Sequence, residues 1–233
     1  MTQLLAVFGL FGGLFGSGGQ DCSLSEAQAQ RAIELVERQW PVRASSDPVT
    51  GYLNGLGLNL SRFDSIGYQS RILVLRNLAP MAFALGGGRF VVSDGLIAMV
   101  RDESQLAAVL AHEFAHQRLG HFCRRESNLG ERIQVGSIVQ HFDLRLEIEA
   151  DLEAVRTLRA GGFNADAMRQ ILQCLAKQGV GGSILWERID VLHGAADAVP
   201  GSVPQGDSAG FREARVQIMQ DIGAIGGKID RCR

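Results

Sequence analysis

The sequence predicts one α+β domain that is mostly helical and carries a small β-sheet. Two observations support this class. Three short runs rich in apolar and β-branched residues lie between positions 70 and 93, and longer stretches with helical periodicity precede and follow them. The chain has 233 residues, of which 46% are hydrophobic and 21% charged. It is therefore long enough to bury a substantial core.

The N-terminal residues 1–21 differ from residues 22–233, which we expect to form the single domain. Residues 4–15 are an apolar, glycine-rich run that fits the core of a signal peptide and is too short for a standard membrane span. No Lys or Arg precedes this run. The alternative is therefore a segment that packs on the domain. We expect an exported, periplasmic or membrane-associated protein, with a cytoplasmic location as the alternative.

Charge and cysteine content exclude two classes of function. The formal net charge of −2 leaves no basic footprint, so no nucleic-acid partner is expected. None of the four cysteines is spaced as CxxC, which argues against a structural zinc ribbon. In an exported protein we expect one disulfide between Cys22 and Cys232 and another between Cys123 and Cys174. The alternative is four buried thiols in a reducing compartment.

The first half of the chain is predicted to contain two helices followed by three strands. Helices are expected at 25–40, ended by Pro41, and at 48–60. Strands are expected at 70–76, 81–85 and 89–93, with a glycine turn at 86–88 between the second and third.

The second half is predicted to be helical. A helix capped by Asp102 is apolar on most sides, so we expect it to be central and buried. Further helices are expected at 142–159, 166–177 and 186–193. A loop is expected over 194–210, and a last helix begins near Phe211.

The central helix contains the pattern His-Glu-x-x-His. His112 and His116 are four residues apart and share one helical face, so their imidazoles can bind one metal ion. Glu113 lies between them, where it can take a proton from water. Two histidines and a glutamate are costly in a buried helix unless they have a partner. The pattern therefore predicts one Zn²⁺ per chain, with a position open to water.

A third ligand is expected from the later segment Leu-Glu-Ile-Glu-Ala-Asp. Glu147 and Asp151 share a helical face, whereas Glu149 points about 200° away from Glu147. Glu has the longer side chain, so Glu147 is the predicted ligand. Asp151 would then accept the other ring N–H of a ligand histidine, and Glu149 would face solvent.

These segments resemble the HtpX-like, BepA-like and CAAX prenyl protease family of zinc metallopeptidases, which are gluzincins. Four pieces match in order: AFALGGGRFVVSDGL, LAAVLAHEFAHQRLGH, EIEAD and ERIDVL. The resemblance implies a zincin-like fold with the sheet flanking a zinc cleft. It also makes Glu147 the third zinc ligand and Asp151 the residue that supports a zinc-binding histidine.

The sequence departs from the family pattern at two places. Met81 and Gly86 stand where the family has Asn and Pro, and the His-Pro-Pro before ERI is missing. Arg188 or His193 is therefore expected to steady the oxyanion of the reaction intermediate. His121 and His141 have no assigned role, and surface positions are expected for both.

The predicted function is hydrolysis of peptide bonds in proteins by a zinc endopeptidase, and the resemblance implies a role in envelope protein quality control. Substrate is expected to bind as an added strand along the edge formed by Met81, Ala82, Phe83, Ala84 and Leu85. The alternative is a zinc-binding chaperone or assembly factor with little proteolytic turnover.

Overall fold

The computed structural model describes residues 8–11, 26–63, 70–121, 131–135, 138–178, 182–197 and 206–232. Within these ranges the fold is α+β, as predicted. The strands are β1 (Phe8–Phe11), β2 (Arg71–Leu75), β3 (Ala82–Gly86), β4 (Arg89–Ser93), β5 (Glu131–Val135) and β6 (Ile138–Phe142). The helices are α1 (Glu26–Gln39), α2 (Pro48–Ser61), α3 (Asp94–Met99), α4 (Glu103–Arg118), α5 (Leu144–Ala160), α6 (Ala167–Lys177), α7 (Gly182–Asp197) and α8 (Ala209–Ala224).

The strands form one mixed sheet in the order β2-β4-β3-β1-β6-β5. β4 pairs parallel to β2 and antiparallel to β3, while β1 pairs parallel to β3 and antiparallel to β6. The β3–β4 hairpin turns through Gly86, Gly87 and Gly88, whose φ angles of 86°, 55° and 74° are unfavourable for other residues. The predicted glycine turn is confirmed.

Alternate residues of β2, β3 and β4 face two different helical layers, as the period of a strand requires. Ile72, Ala84 and Phe90 point into the larger core with α2 and α4. Leu73, Phe83 and Val91 point into a smaller core, where Ile33 and Val36 of α1 cover them. β2, β3 and β4 are thus buried on both faces, and α4 lies against the face that carries Ala84.

The prediction that residues 81–85 form a free edge of the sheet is wrong. β3 lies between two strands: Phe83 pairs with Val91 of β4 on one side and with Gly9 of β1 on the other. β1 lies within the apolar run at residues 4–15, which fits the core of a signal peptide and so predicts an exported protein. Its four described residues instead extend the sheet next to β3.

Several predicted boundaries are shifted. Phe142 ends β6 and does not start a helix, since α5 begins at Leu144 behind the capping side chain of Asp143. The short helix predicted around Trp186 extends from Gly182 to Asp197, so the first residues of the predicted loop are helical.

The predicted cysteine pairing is also wrong. Cys174 of α6 forms a disulfide with Cys232 near the C-terminus, with the two Cα atoms 5.4 Å apart. This excludes the predicted partners of both residues. Cys22 and Cys123 lie outside the described residues. The pairing brings the C-terminal segment onto α6, which local sequence spacing does not reveal.

One buried ionic cluster ties α2, α3 and α8 together. The Arg43 guanidinium lies 2.7 Å from Asp94 and 2.7 Å from Asp221, and 3.1 Å from Asp47. Arg43→Ala is expected to lower the free energy of unfolding by about 3–5 kcal/mol, because it leaves the buried Asp94 and two partly buried carboxylates without their cation. Urea denaturation measures this. Arg76→Ala is the control, since Arg76 is half exposed and contacts Asp47 and Asp221 at 3.8–3.9 Å. It should cost no more than about 1 kcal/mol, and equal losses would contradict this account.

Candidate metal centre

Helix α4 carries the His-Glu-x-x-His pattern through the middle of the protein. Asp102 caps the helix by accepting a hydrogen bond of 3.0 Å from the Gln105 backbone N–H, as predicted. All residues from Glu103 to His116 are buried. The expectation of a central, buried helix is therefore confirmed.

Three buried side chains converge between α4 and α5. The Nε2 atoms of His112 and His116 are 2.9 Å apart. The Glu147 carboxylate lies across from them, with Oε2 at 3.3 Å from His112 Nε2 and Oε1 at 3.4 Å from His116 Nε2. The three residues form a group of donors able to hold a metal ion. Glu147 can reach the histidines because it lies in the first turn of α5, which packs along α4.

Asp151 and Arg188 hold this group from behind. Asp151 Oδ1 is 2.9 Å from His112 Nδ1, the ring nitrogen that faces away from the cluster. Arg188 of α7 binds both carboxylate oxygens of Asp151 at 2.7 Å and places Nη1 3.0 Å from Glu147 Oε2. All of these side chains are buried. A single guanidinium therefore fixes both acids of α5 relative to the histidines.

Glu113 is fully buried beside β3. Neither of its carboxylate oxygens accepts a hydrogen bond from the described residues. Burial raises the pKa of Glu113 to about 8, while the charge of His112 and the nearby backbone N–H of Ala84 oppose this rise. A buried carboxyl group that accepts no well-formed hydrogen bond from the described residues is suited to exchange a proton with water or substrate.

The charges around the cluster shift the pKa values of its members in different directions. Burial by itself would lower the pKa of His112, but the carboxylates of Asp151 and Glu147 raise it to about 9. Burial lowers the pKa of His116. Burial would raise the pKa of Glu147, yet His116 and Arg188 hold it well below its usual value. The charges around Glu147 therefore favour its ionised carboxylate.

The donor set fits a zinc ion. Ligands held about 2.0–2.2 Å from a tetrahedral ion lie roughly 3.3–3.5 Å from one another, and the Glu147 oxygens lie 3.3 and 3.4 Å from the two imidazole nitrogens. The two Nε2 atoms are 2.9 Å apart and would have to separate slightly to bind one ion. Both Glu147 oxygens are buried, with Arg188 Nη1 3.0 Å from Oε2. A carboxylate has further lone pairs, so Glu147 can coordinate a metal ion beside this guanidinium. Two neutral imidazoles and one carboxylate are typical zinc ligands.

Other predicted residues lie elsewhere. His193 is on an exposed part of α7, turned away from the buried face that carries Arg188. The side chain of His141 is outside the described residues. The surface position expected for His121 is wrong, since His121 is buried with its Nδ1 2.8 Å from His116 Nδ1. Glu149 does not join the three-donor group; its carboxylate lies 3.4 Å from His121 Nε2.

Comparison with known proteins agrees with this geometry. Residues 50–143 match the model of Peptidase family M48. The beta-barrel assembly-enhancing protease of Escherichia coli is 29% identical over 194 residues, which are 70% of this chain and 40% of that protein. The mitochondrial metalloendopeptidase OMA1 of Schizosaccharomyces pombe is 30% identical over 141 residues, which are 52% of this chain and 38% of that protein.

The fold, the three-donor group and the comparisons agree that this chain is similar to metallopeptidases. The family resemblance found in the sequence is confirmed, since the matched segment of the M48 peptidases includes the whole of α4. The chain spans about 40% of the length of these relatives. In the part of the chain that is described, no helix has the length and apolar character needed to cross a membrane.

Asp151→Asn is expected to weaken zinc binding by about 10–100-fold, because an amide supports the His112 ring less well than a carboxylate does. Competition with a chromophoric chelator measures the affinity. Asp190→Asn on the exposed face of α7 is the matched control and should bind zinc as the unchanged protein does. Unaltered affinity in Asp151→Asn would contradict the role assigned to this carboxylate.

Proposed function

We propose that this protein is a zinc-dependent endopeptidase that hydrolyses peptide bonds of protein substrates and binds one Zn²⁺ per chain. The observation that carries the proposal is the convergence of His112, His116 and Glu147 beside a buried Glu113 without a hydrogen-bond partner among the described residues. Such an arrangement combines a metal site with a proton acceptor and has no purpose in a purely structural core.

Each residue has a distinct task in this mechanism. A bound zinc ion supplies Lewis-acid chemistry, which polarises a peptide carbonyl and makes water more acidic. His112, His116 and Glu147 hold the ion, and Asp151 fixes the tautomer of His112 by accepting its Nδ1–H. Glu113 accepts a proton from the attacking water and delivers it to the leaving nitrogen.

Arg188 and His193 are the two residues expected to stabilise negative charge that develops on the substrate, and of these Arg188 lies within the site. Its guanidinium is buried and lies within the site, whereas His193 is exposed. Three of its nitrogens already contact Asp151 and Glu147. We therefore assign to Arg188 mainly the positioning of these acids, and the oxyanion role expected from the sequence stays a prediction for it.

We further propose an exported protein that acts in envelope protein quality control. The Cys174–Cys232 disulfide supports an oxidising compartment. Relatives whose name refers to β-barrel assembly support the biological role. Membrane association is part of the same proposal, but Phe8–Phe11 pair within the sheet and do not supply it. Fractionation of cells that produce the whole chain tests the location.

A second candidate function is a zinc-binding chaperone or assembly factor with little proteolytic turnover. The position of β3 favours it, because both edges of β3 are already paired, so no edge remains for an added substrate strand. The missing His-Pro-Pro histidine favours it as well.

Casein hydrolysis separates the two functions. The endopeptidase proposal expects cleavage of casein that is abolished by a chelator and restored by one equivalent of zinc. A protein that binds zinc and suppresses aggregation of an unfolded substrate, yet leaves casein intact, would establish the chaperone instead. Glu187→Gln, an exposed substitution on α7, is the control for nonspecific effects.

A further inference from the structure

The end of helix α4 places a third histidine against the metal cluster. Gly120 follows the helix with a φ angle of +67°, a conformation that glycine tolerates well. Its N–H donates to Gln117 O at 3.1 Å, and the N–H of His121 donates to His116 O at 3.0 Å. This pair of bonds is the Schellman motif, in which the second residue beyond the helix packs on the last turn. The motif therefore brings His121 onto His116.

The side chain of His121 also contacts those of His116 and Glu149. His121 Nδ1 is 2.8 Å from His116 Nδ1, and the two rings meet edge to face with centroids 4.9 Å apart. On the other side of the His121 ring, Nε2 lies 3.4 Å from Glu149 Oε2. His121 is buried, and the Glu149 side chain is 32% exposed. The three residues form a line from the metal cluster to the surface.

The positions of the protons follow from the metal site. His116 offers Nε2 to the cluster, so in its neutral form the proton is on Nδ1. His121 Nδ1 must then accept this proton in a hydrogen bond, which places the proton of neutral His121 on Nε2. Nε2 lies 3.4 Å from Glu149 Oε2, so its proton is on the side of an acidic group. The opposite tautomer of His121 would set two N–H groups against each other at the His116 contact.

We propose that His121 and Glu149 are positioning residues that orient His116 and fix its tautomer for zinc binding. They would do for His116 what Asp151 and Arg188 do for His112 on the other side of the cluster. The proposal rests on the proposed function, since it concerns the same metal site. It assigns a task to two residues that the sequence places at the surface.

Zinc affinity of variants of the whole chain is the first test. His121→Phe keeps the ring shape and removes the acceptor, and we expect zinc to bind about 10–100-fold more weakly. His121→Asn restores an acceptor oxygen near the position of Nδ1 and should recover most of the affinity. Glu149→Ala leaves His121 in place and should lose about 10-fold, at the low end of this range. The melting temperature of the metal-free protein should change little in Glu149→Ala, because Glu149 is partly exposed.

His193→Phe, an identical replacement at an exposed site, is the control and should bind zinc normally. Loss of affinity in both His121→Phe and His121→Asn, matched by equal losses of metal-free stability, would show that His121 only fills the core and would overturn the proposal. Should His121→Phe fail to fold, Glu149→Ala still decides, because unchanged zinc affinity in that variant contradicts the role proposed for the contact between Glu149 and His121.

Nitrogen-15 NMR of the zinc-loaded protein is the second test, and it does not depend on activity. We expect His121 to carry its proton on Nε2 and His116 to carry its proton on Nδ1. A His121 ring protonated on Nδ1 would overturn the proposal. If the unchanged protein binds no zinc, the proposed function fails and this inference fails with it. If the unchanged protein binds zinc and the His121 and Glu149 variants bind it equally well, only the inference fails.

Discussion

Replacement of Glu113 by Gln is expected to leave zinc bound and to lower peptide hydrolysis by about 10²–10⁴-fold, the usual contribution of a general base. Glu113 lies outside the three-donor group, so its loss removes no ligand. Gln has the same shape but cannot accept and release a proton at neutral pH. Metal content and the rate of casein cleavage, measured on the same preparation, test both halves of this prediction.

The control is Glu187→Gln, which makes the same chemical change at an exposed position of α7. It should alter neither metal content nor rate. Near-normal hydrolysis by Glu113→Gln would refute the assigned mechanism. Loss of metal from Glu113→Gln would instead show that Glu113 is a ligand, which the distances around His112 and His116 do not support.

Glu147→Ala is expected to have the largest effect on the metal. It removes one of three protein ligands, and two imidazoles alone hold zinc poorly. The affinity should fall by more than the roughly 100-fold that loss of an outer partner causes. The substitution also removes a carboxylate that contacts Arg188. Zinc content after dialysis and competition with a chelator measure this loss.

Glu153→Ala is the matched control on the same helix. Glu153 pairs with Arg118 and Arg156 on the outer side of α5, and exposed ion pairs contribute at most about 1 kcal/mol. This variant should keep its zinc. Retention of zinc by Glu147→Ala, combined with loss in Glu149→Ala beyond about 10-fold, would show that the neighbouring glutamate is the true third ligand.

The sequence reveals much of this site because its main parts are local. His112, Glu113 and His116 lie within one turn and a half of a single helix, so their spacing alone defines their common face. Glu147 and Asp151 likewise share one face of α5. The predicted cap Asp102 begins α4 by accepting a hydrogen bond from the backbone N–H of Gln105, three residues away. Short-range rules suffice for features of this kind.

Features that depend on distant parts of the chain could not be predicted in this way. The partner of Cys174 comes from 58 residues further along the sequence. β1, which pairs with one edge of β3, lies some 70 positions earlier in the chain, and the residue pattern of β3 does not indicate this partner. The resemblance makes Arg188 a candidate for the oxyanion role, but only the packing of α7 on α5 shows that it binds Asp151.

The burial of His121 is an intermediate case. The signal was present in Leu-Gly-His after the second ligand histidine, since glycine commonly ends a helix and folds the next residue back on its last turn. The missing part was the position of α5, which brings Glu149 to the other side of the imidazole. A local motif and a tertiary contact together define the pair.

The central claim is that His112, His116 and Glu147 bind one zinc ion, and anomalous X-ray scattering from crystals of the zinc-loaded protein tests it most directly. Data collected on both sides of the zinc absorption edge should give one strong peak per chain between α4 and α5. The peak should lie about 2.0–2.2 Å from both Nε2 atoms and from a Glu147 oxygen. A peak elsewhere, or a protein saturated with zinc that has no peak between these two helices, would contradict the account.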